Sequence, residues 1–184
     1  MRRRAFLAST LTATSTVIAG CNSDDSRTEH TDPTVESDDG DDAKYLEFHG
    51  DETVLATVGV DPNLNPTPSA LFVWISHPED TRLESLTQRF AASGGDGGPP
   101  ELSVRASDES DDIPHPPVSL SRDGGAAVVE VDEFGDLADE TVFIPLAVTR
   151  WPEAAHGLVV ESTVEMRADD HTHVLDGRLE FEFR

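Results

Sequence analysis

The sequence predicts an all-β sandwich of antiparallel strands for residues 43–184, and three observations carry that prediction. Short runs rich in β-branched and aromatic residues recur along the segment, parted by Gly, Pro and Asp turn signals. In the last run Leu179, Phe181 and Phe183 alternate with Glu180 and Glu182, the mark of a sheet with one face buried and the other wet. The segment is also long enough for one domain with a real core.

Taken in order, Tyr45 to His49 and Thr53 to Val60 open the domain. Leu71, Phe72, Val73, Trp74 and Ile75 form an unbroken apolar run within Ala70 to Ser76, which suits a central strand buried on both faces with Trp74 in the core. Ser76 and Glu79 have capping-box spacing, followed by Leu83, Leu86 and Phe90 at helical intervals and by Gly94, so a short helix is favoured over 76–90. An alternating strand with Leu86 and Phe90 inward is the competing reading. Val118 to Ser121 and Ala126 to Val131 make a hairpin about Asp123-Gly124-Gly125. Thr141 to Thr149 and Leu158 to Met166 are long strands. His173 to Leu175 and Arg178 to Phe183 then close the chain around Asp176-Gly177. Residues 93–100 and 107–117 are Gly- and Pro-rich loops, with Pro114-His115-Pro116-Pro117 extended.

Gly135 to Thr141, a compact acidic turn ahead of a long strand, resembles the corner between the fifth and sixth strands of immunoglobulin-like domains. Phe143 stands in roughly the place of the tyrosine of that corner. The resemblance implies an immunoglobulin-like antiparallel sandwich.

Residues 1–20 read as an export signal. Arg2, Arg3 and Arg4 precede a mildly apolar stretch from Ala5 to Ala19 that is too short and too polar for a stable membrane span. Arg3-Arg4-x-Phe6-Leu7 resembles the core of a twin-arginine signal. Ile18-Ala19-Gly20-Cys21 resembles a lipobox, which implies lipid attached to Cys21 and a protein held on the extracytoplasmic face of the membrane. Cys21 is the sole cysteine, so a lipidated chain has no disulfide, no thiol nucleophile and no thiolate ligand for a metal. Residues 21–42 follow as a lipidated, disordered acidic tether: beyond Cys21 they hold nine acidic residues, one arginine and, in Val35, one aliphatic side chain.

Beyond the signal, 10 basic residues face 37 acidic ones, a formal net charge of −27. Lys44 is the one lysine. Acidity, scarce lysine and the signal together resemble the small lipoproteins of haloarchaea, which implies a surface adapted to brine. Nucleic acid is excluded as a partner, because no basic stripe exists to neutralise phosphates.

Motifs with chemistry are few. Asp169-Asp170-His171-Thr172-His173 places two imidazoles on one side of a strand with a carboxylate nearby, a candidate metal site of Asp169, His171 and His173. A polar hairpin turn explains the same residues. A third imidazole would come from His49, His77, His115 or His156. Asp61-x-Asn63-x-Asn65 matches half a calcium loop, but Pro66 replaces the turn glycine and Phe72 the bidentate glutamate. No Gly-x-Ser-x-Gly, His-Glu-x-x-His or Ser-x-x-Lys occurs. Trp151 is either a binding aromatic on a loop or a plug at the core edge. The expected role is therefore a non-catalytic cell-surface adaptor, presenting loops 93–117 and 151–157 to another envelope protein. Ligand or metal binding is the alternative, and no cofactor beyond the lipid is expected.

Overall fold

A computed structural model describes residues 26–37, 42–50, 53–64, 68–94, 98–105 and 115–183. Cys21, Arg3, Arg4, Phe6 and Leu7 lie outside the described residues. Twelve strands form two six-stranded sheets that pack as a sandwich, as the alternation predicts. They are β1 (Ser26–His30), β2 (Thr34–Ser37), β3 (Lys44–His49), β4 (Val54–Leu64), β5 (Pro68–Ser76), β6 (Thr81–Ser93), β7 (Glu101–Val104), β8 (Ser119–Asp123), β9 (Ala126–Val131), β10 (Val142–Arg150), β11 (Gly157–Ala168) and β12 (His171–Glu182). One sheet runs β1-β12-β11-β6-β9-β8 and the other β2-β3-β4-β5-β10-β7. Their inner faces meet in a core that includes Leu46, Phe48, Val58, Leu71, Ile75, Phe90, Ile144, Leu158 and Leu179, all essentially buried.

Two strands begin earlier than predicted. Within the segment expected to be a tether, β1 pairs in parallel with β12 and β2 pairs antiparallel with β3. Both are exposed edge strands, held by backbone hydrogen bonds rather than by apolar burial, so composition concealed them. The parallel β1–β12 pair is also a departure from a purely antiparallel sandwich.

Residues 81–93 form a strand and not the short helix, and the reason lies in a bulge. Thr81 and Leu83 face the core, then Leu86, Gln88 and Phe90 do. The register against β11 shifts between Glu165 and Met166, where Glu84 and Ser85 take up one extra residue. That insertion changes the phase of the alternation by one, turning a spacing of two into a spacing of three. Leu83 and Leu86 therefore imitate a helical face.

Other expectations change at the outer faces. In β5 Leu71, Val73 and Ile75 are buried, whereas Phe72 is 37% exposed and Trp74 is half-buried. Trp74 therefore lies outside the core, across the backbone of its register partner Gly59, where an added Cβ would sit 1.9 Å from the ring. Asp61 to Leu64 continue β4 as strand, and Asn65 of the calcium-loop motif lies outside the described residues. Gly177 is an interior strand residue and not a turn, so His173–Leu175 and Arg178–Phe183 belong to one continuous strand. The Gly135–Leu137 segment is a single 3-10 turn carrying the chain from β9 in one sheet to β10 in the other, with Phe134 and Ala138 buried beneath it.

One buried polar pair joins register neighbours of β6 and β11. Gln88 Nε2 donates to Ser162 Oγ at 3.0 Å, both residues are buried, and Gln88 Oε1 has no hydrogen-bond partner. An unsatisfied buried acceptor costs about 1–3 kcal/mol, while removing both polar partners together is neutral or favourable. The double variant Gln88→Met, Ser162→Ala is expected to gain about 1 kcal/mol in urea unfolding; a clear loss would mean that Oε1 is satisfied by a trapped water.

Candidate functional site

Strand register sorts the connections to the two ends of the sandwich. Ser26 pairs with His171, Ala168 with Thr81, and Val142 with Ile75. The start of β1, the Asp169–Asp170 turn, the 77–80 turn and the 132–141 corner therefore share one end. At the other end Gly157 pairs with Ser93 and Glu182, Asp123 with Ala126, and Arg150 with Glu101. Gly94 and residues 98–100, 124–125 and 151–156 gather there. β7 ends opposite Leu146 and β8 begins opposite Glu130, partway along the sandwich on the side edge opposite β1 and β2, and residues 106–114 between them lie outside the described residues.

The far end is tied together by its own contacts. His156 N–H donates to Ser93 O at 3.0 Å and Phe183 N–H donates to His156 O at 2.7 Å. Gly94, at φ +72°, accommodates the His156 imidazole where any side chain would collide. Trp151 packs against the core edge, meets Phe183 edge-on at 5.4 Å and donates its Nε1–H to Ala155 O at 3.2 Å, so it acts as a plug. A shallow depression of about 410 Å³ lies on the outer face beside this end, walled by Arg89, Glu161 and Arg178 and floored by Ala91 and Val159.

The near end carries the histidines singled out from sequence. Asp169, at φ +53°, forms the turn before β12, as the hairpin reading expects. His171 and His173 lie on the side of β12 that continues inward as Leu175 and Leu179, at the open corner of the sandwich. The third imidazole beside them is His30 of β1. Its Nε2 lies 3.0 Å from His173 Nδ1, and the two rings stack with centroids 5.3 Å apart. His171 Nδ1 instead hydrogen-bonds Ser26 Oγ. Burial, then the neighbouring His30 and His171, hold the His173 pKa below its ordinary value, so this imidazole is neutral at pH 7. The four histidines proposed from sequence as third ligands are engaged elsewhere: His49 with Glu47 at 2.9 Å, His77 with Thr81 Oγ1 at 2.7 Å, His115 with Pro116 O, and His156 against Gly94. Among the described residues no group of three or more His, Cys, Asp or Glu side chains is arranged to hold a metal ion.

His30 was missed because it sits in a segment whose composition reads as disordered. The signal that could have found it is the spacing of Ser26, Thr28 and His30 in alternation, matching His171, His173 and Leu175 across a parallel pair. A second feature escaped notice. Tyr45, Gly59, Trp74 and Phe143 are register neighbours across β3, β4, β5 and β10, so an aromatic row lies on an outer face, with Phe143 44% exposed.

Residues 27–184 match the model of a domain of unknown function (DUF8121). None of the curated proteins matches this sequence. Among solved structures the chain is similar to the human F-spondin reeler domain (fragment 1), with a TM-score of 0.41 and 10% identity over 70% of this chain and 89% of that one. No helix among the described residues is long and apolar enough to cross a membrane.

Proposed function

We propose that this chain, which belongs to the DUF8121 family, is a non-catalytic, lipid-anchored interaction domain on the extracytoplasmic face of the membrane. The supporting observation is that the start of β1, the described residue nearest to Cys21 in sequence, and the gathered connections fall at opposite ends. Cys21 precedes Ser26 by five residues, and five extended residues span at most about 17 Å. Lipid on Cys21 therefore keeps the start of β1 and the Asp169–Asp170 turn close to the bilayer. Gly94 and the 151–156 connection then face outward, tied to the sandwich by the Ser93, His156 and Phe183 hydrogen bonds. In this reading the sandwich works like an immunoglobulin-like module, a rigid body that shows one end to an envelope partner, and the haloarchaeal likeness of its signal and surface fits a life in brine.

Cys21→Ser is expected to release the protein from cells into the medium, measured by blotting medium and membrane fractions. A variant still fully membrane-bound would refute the anchor. On intact cells a carboxylate-reactive cross-linker suits this surface, since Lys44 is the one lysine. Cross-links to a recurrent envelope protein should map to Glu153 or its neighbours at the far end, and links confined to Asp169 and Asp170 would oppose the proposed orientation.

A further inference from the structure

We propose that His30 and His173 form a copper(II) site that bridges β1 and β12, with His171 next to them as a reserve ligand. Three imidazoles fall within one short stretch of a parallel strand pair, although the chain has only seven histidines. Their register is the cause: His171 and His173 stand two apart on one side of β12, and β1 runs beside them in the same direction.

The spacing suits a divalent first-row ion. Two imidazole nitrogens bound at right angles, each at about 2.0–2.1 Å, lie about 2.9 Å apart. His30 Nε2 and His173 Nδ1 are already 3.0 Å apart. In the metal-free pair one ring donates its N–H to the other. Binding replaces that hydrogen bond with two nitrogen–metal bonds, and the displaced proton moves through solvent to the other nitrogen of the donor ring. Both rings must turn so that their lone pairs meet on the ion and no longer point along the line between them.

Copper(II) fits better than zinc. Structural zinc takes four protein ligands, commonly with thiolates, and only two nitrogens are paired here. Copper(II) stands at the top of the divalent series, suits imidazole, and completes a tetragonal shell with water. Turning His171 away from Ser26 Oγ would supply a third nitrogen. The ion would pin β1, an edge strand with little apolar burial, onto the rest of the sheet.

The full chain, solubilised in detergent, stripped of metal and titrated with copper(II) alone, provides the test. One equivalent is expected to bind with nitrogen hyperfine splittings in the electron paramagnetic resonance spectrum. His30→Gln and His173→Gln should each weaken binding roughly tenfold or more, since losing even a supporting partner of a ligand costs that much. His77→Gln, on the other side of the near end, should leave binding unchanged. A purely oxygen-ligated signal would overturn the proposal, as would unchanged affinity in folded His30→Gln. Glutamine can keep a hydrogen bond to His173, and circular dichroism shows whether each variant folds. This outcome is independent of the lipid anchor and the docking end, because the titration uses neither cells nor a partner.

Discussion

Gly177→Val is expected to destabilise the domain by about 3 kcal/mol, lowering the melting temperature by roughly 10 °C. Gly177 lies in the middle of β12, where the two sheets approach most closely. A Cβ there would sit 2.6 Å from Leu46 Cδ1, 3.0 Å from Pro33 Cγ and 3.1 Å from Phe48 Cζ. Leu46 and Phe48 are fully buried and cannot swing into solvent. Pro33 lies in the link that carries the chain from β1 in one sheet to β2 in the other. Valine would therefore push on both the core and the crossing. Gly177→Ala makes a useful second point: alanine gains about 0.5–1 kcal/mol by restricting the unfolded chain, and this offsets part of its smaller clash. Thermal melts of the two variants should separate widely. If valine melts like the wild type, the sheets do not pack this closely at β12.

How far the fold was legible follows from where its signals lie. Leu179 and Phe181 point inward while Glu180 and Glu182 point outward, because alternation in a half-buried strand is a direct readout of burial. The β8–β9 hairpin was legible because Gly124, at φ +59°, takes a backbone conformation that glycine adopts without strain. Legibility failed where backbone geometry overrode side-chain pattern. The bulge at Glu84 and Ser85 gave β6 a helical spacing, and the close approach at Gly177 looked like a turn. Edge strands β1 and β2 were hidden for a third reason: an edge strand contributes hydrogen bonds without a hydrophobic face, so nothing in its composition separates it from a tether.

The histidine corner shows the same limit. His171 and His173 were legible as a pair because period two is a local property of the chain. Their neighbour His30 was not, since contact between residues so far apart in sequence depends on a parallel register that only folding establishes. The loops at the far end were legible as loops, from Gly and Pro, but their gathering at one end was not. That gathering follows from which strand ends coincide, as at Ser93 and Gly157. Most of the 107–117 loop lies outside the described residues, and only its flanking strands β7 and β8 are placed, meeting their partners partway along the sandwich.

Lowering the salt from about 2 M to about 0.05 M is expected to lower the melting temperature by on the order of 10 °C or more. The chain carries a formal charge of −24, and its cations are largely committed. Arg27, Arg82, Arg89, Arg122, Arg150, Arg167 and Arg178 each pair with a carboxylate, and several share one, as Arg89 and Arg178 share Glu161 and Arg122 and Arg150 share Glu101. Such exposed pairs are worth at most about 1 kcal/mol each. They gain strength as salt is removed, which by itself would stabilise the fold. The remaining carboxylates act the other way: at 1 M salt charges are screened beyond about 3 Å, but below 0.1 M the screening length exceeds about 10 Å, so neighbouring carboxylates across a face repel one another. With 37 acidic residues against 13 basic ones, repulsion outweighs the pairs, and the edge strands β1 and β2 should loosen first because little apolar burial retains them. Neutralising the corner carboxylates Asp132, Glu133 and Asp136 as amides should reduce the dependence on salt. Equal melting temperatures at both concentrations would mean that the acidic surface has no bearing on stability.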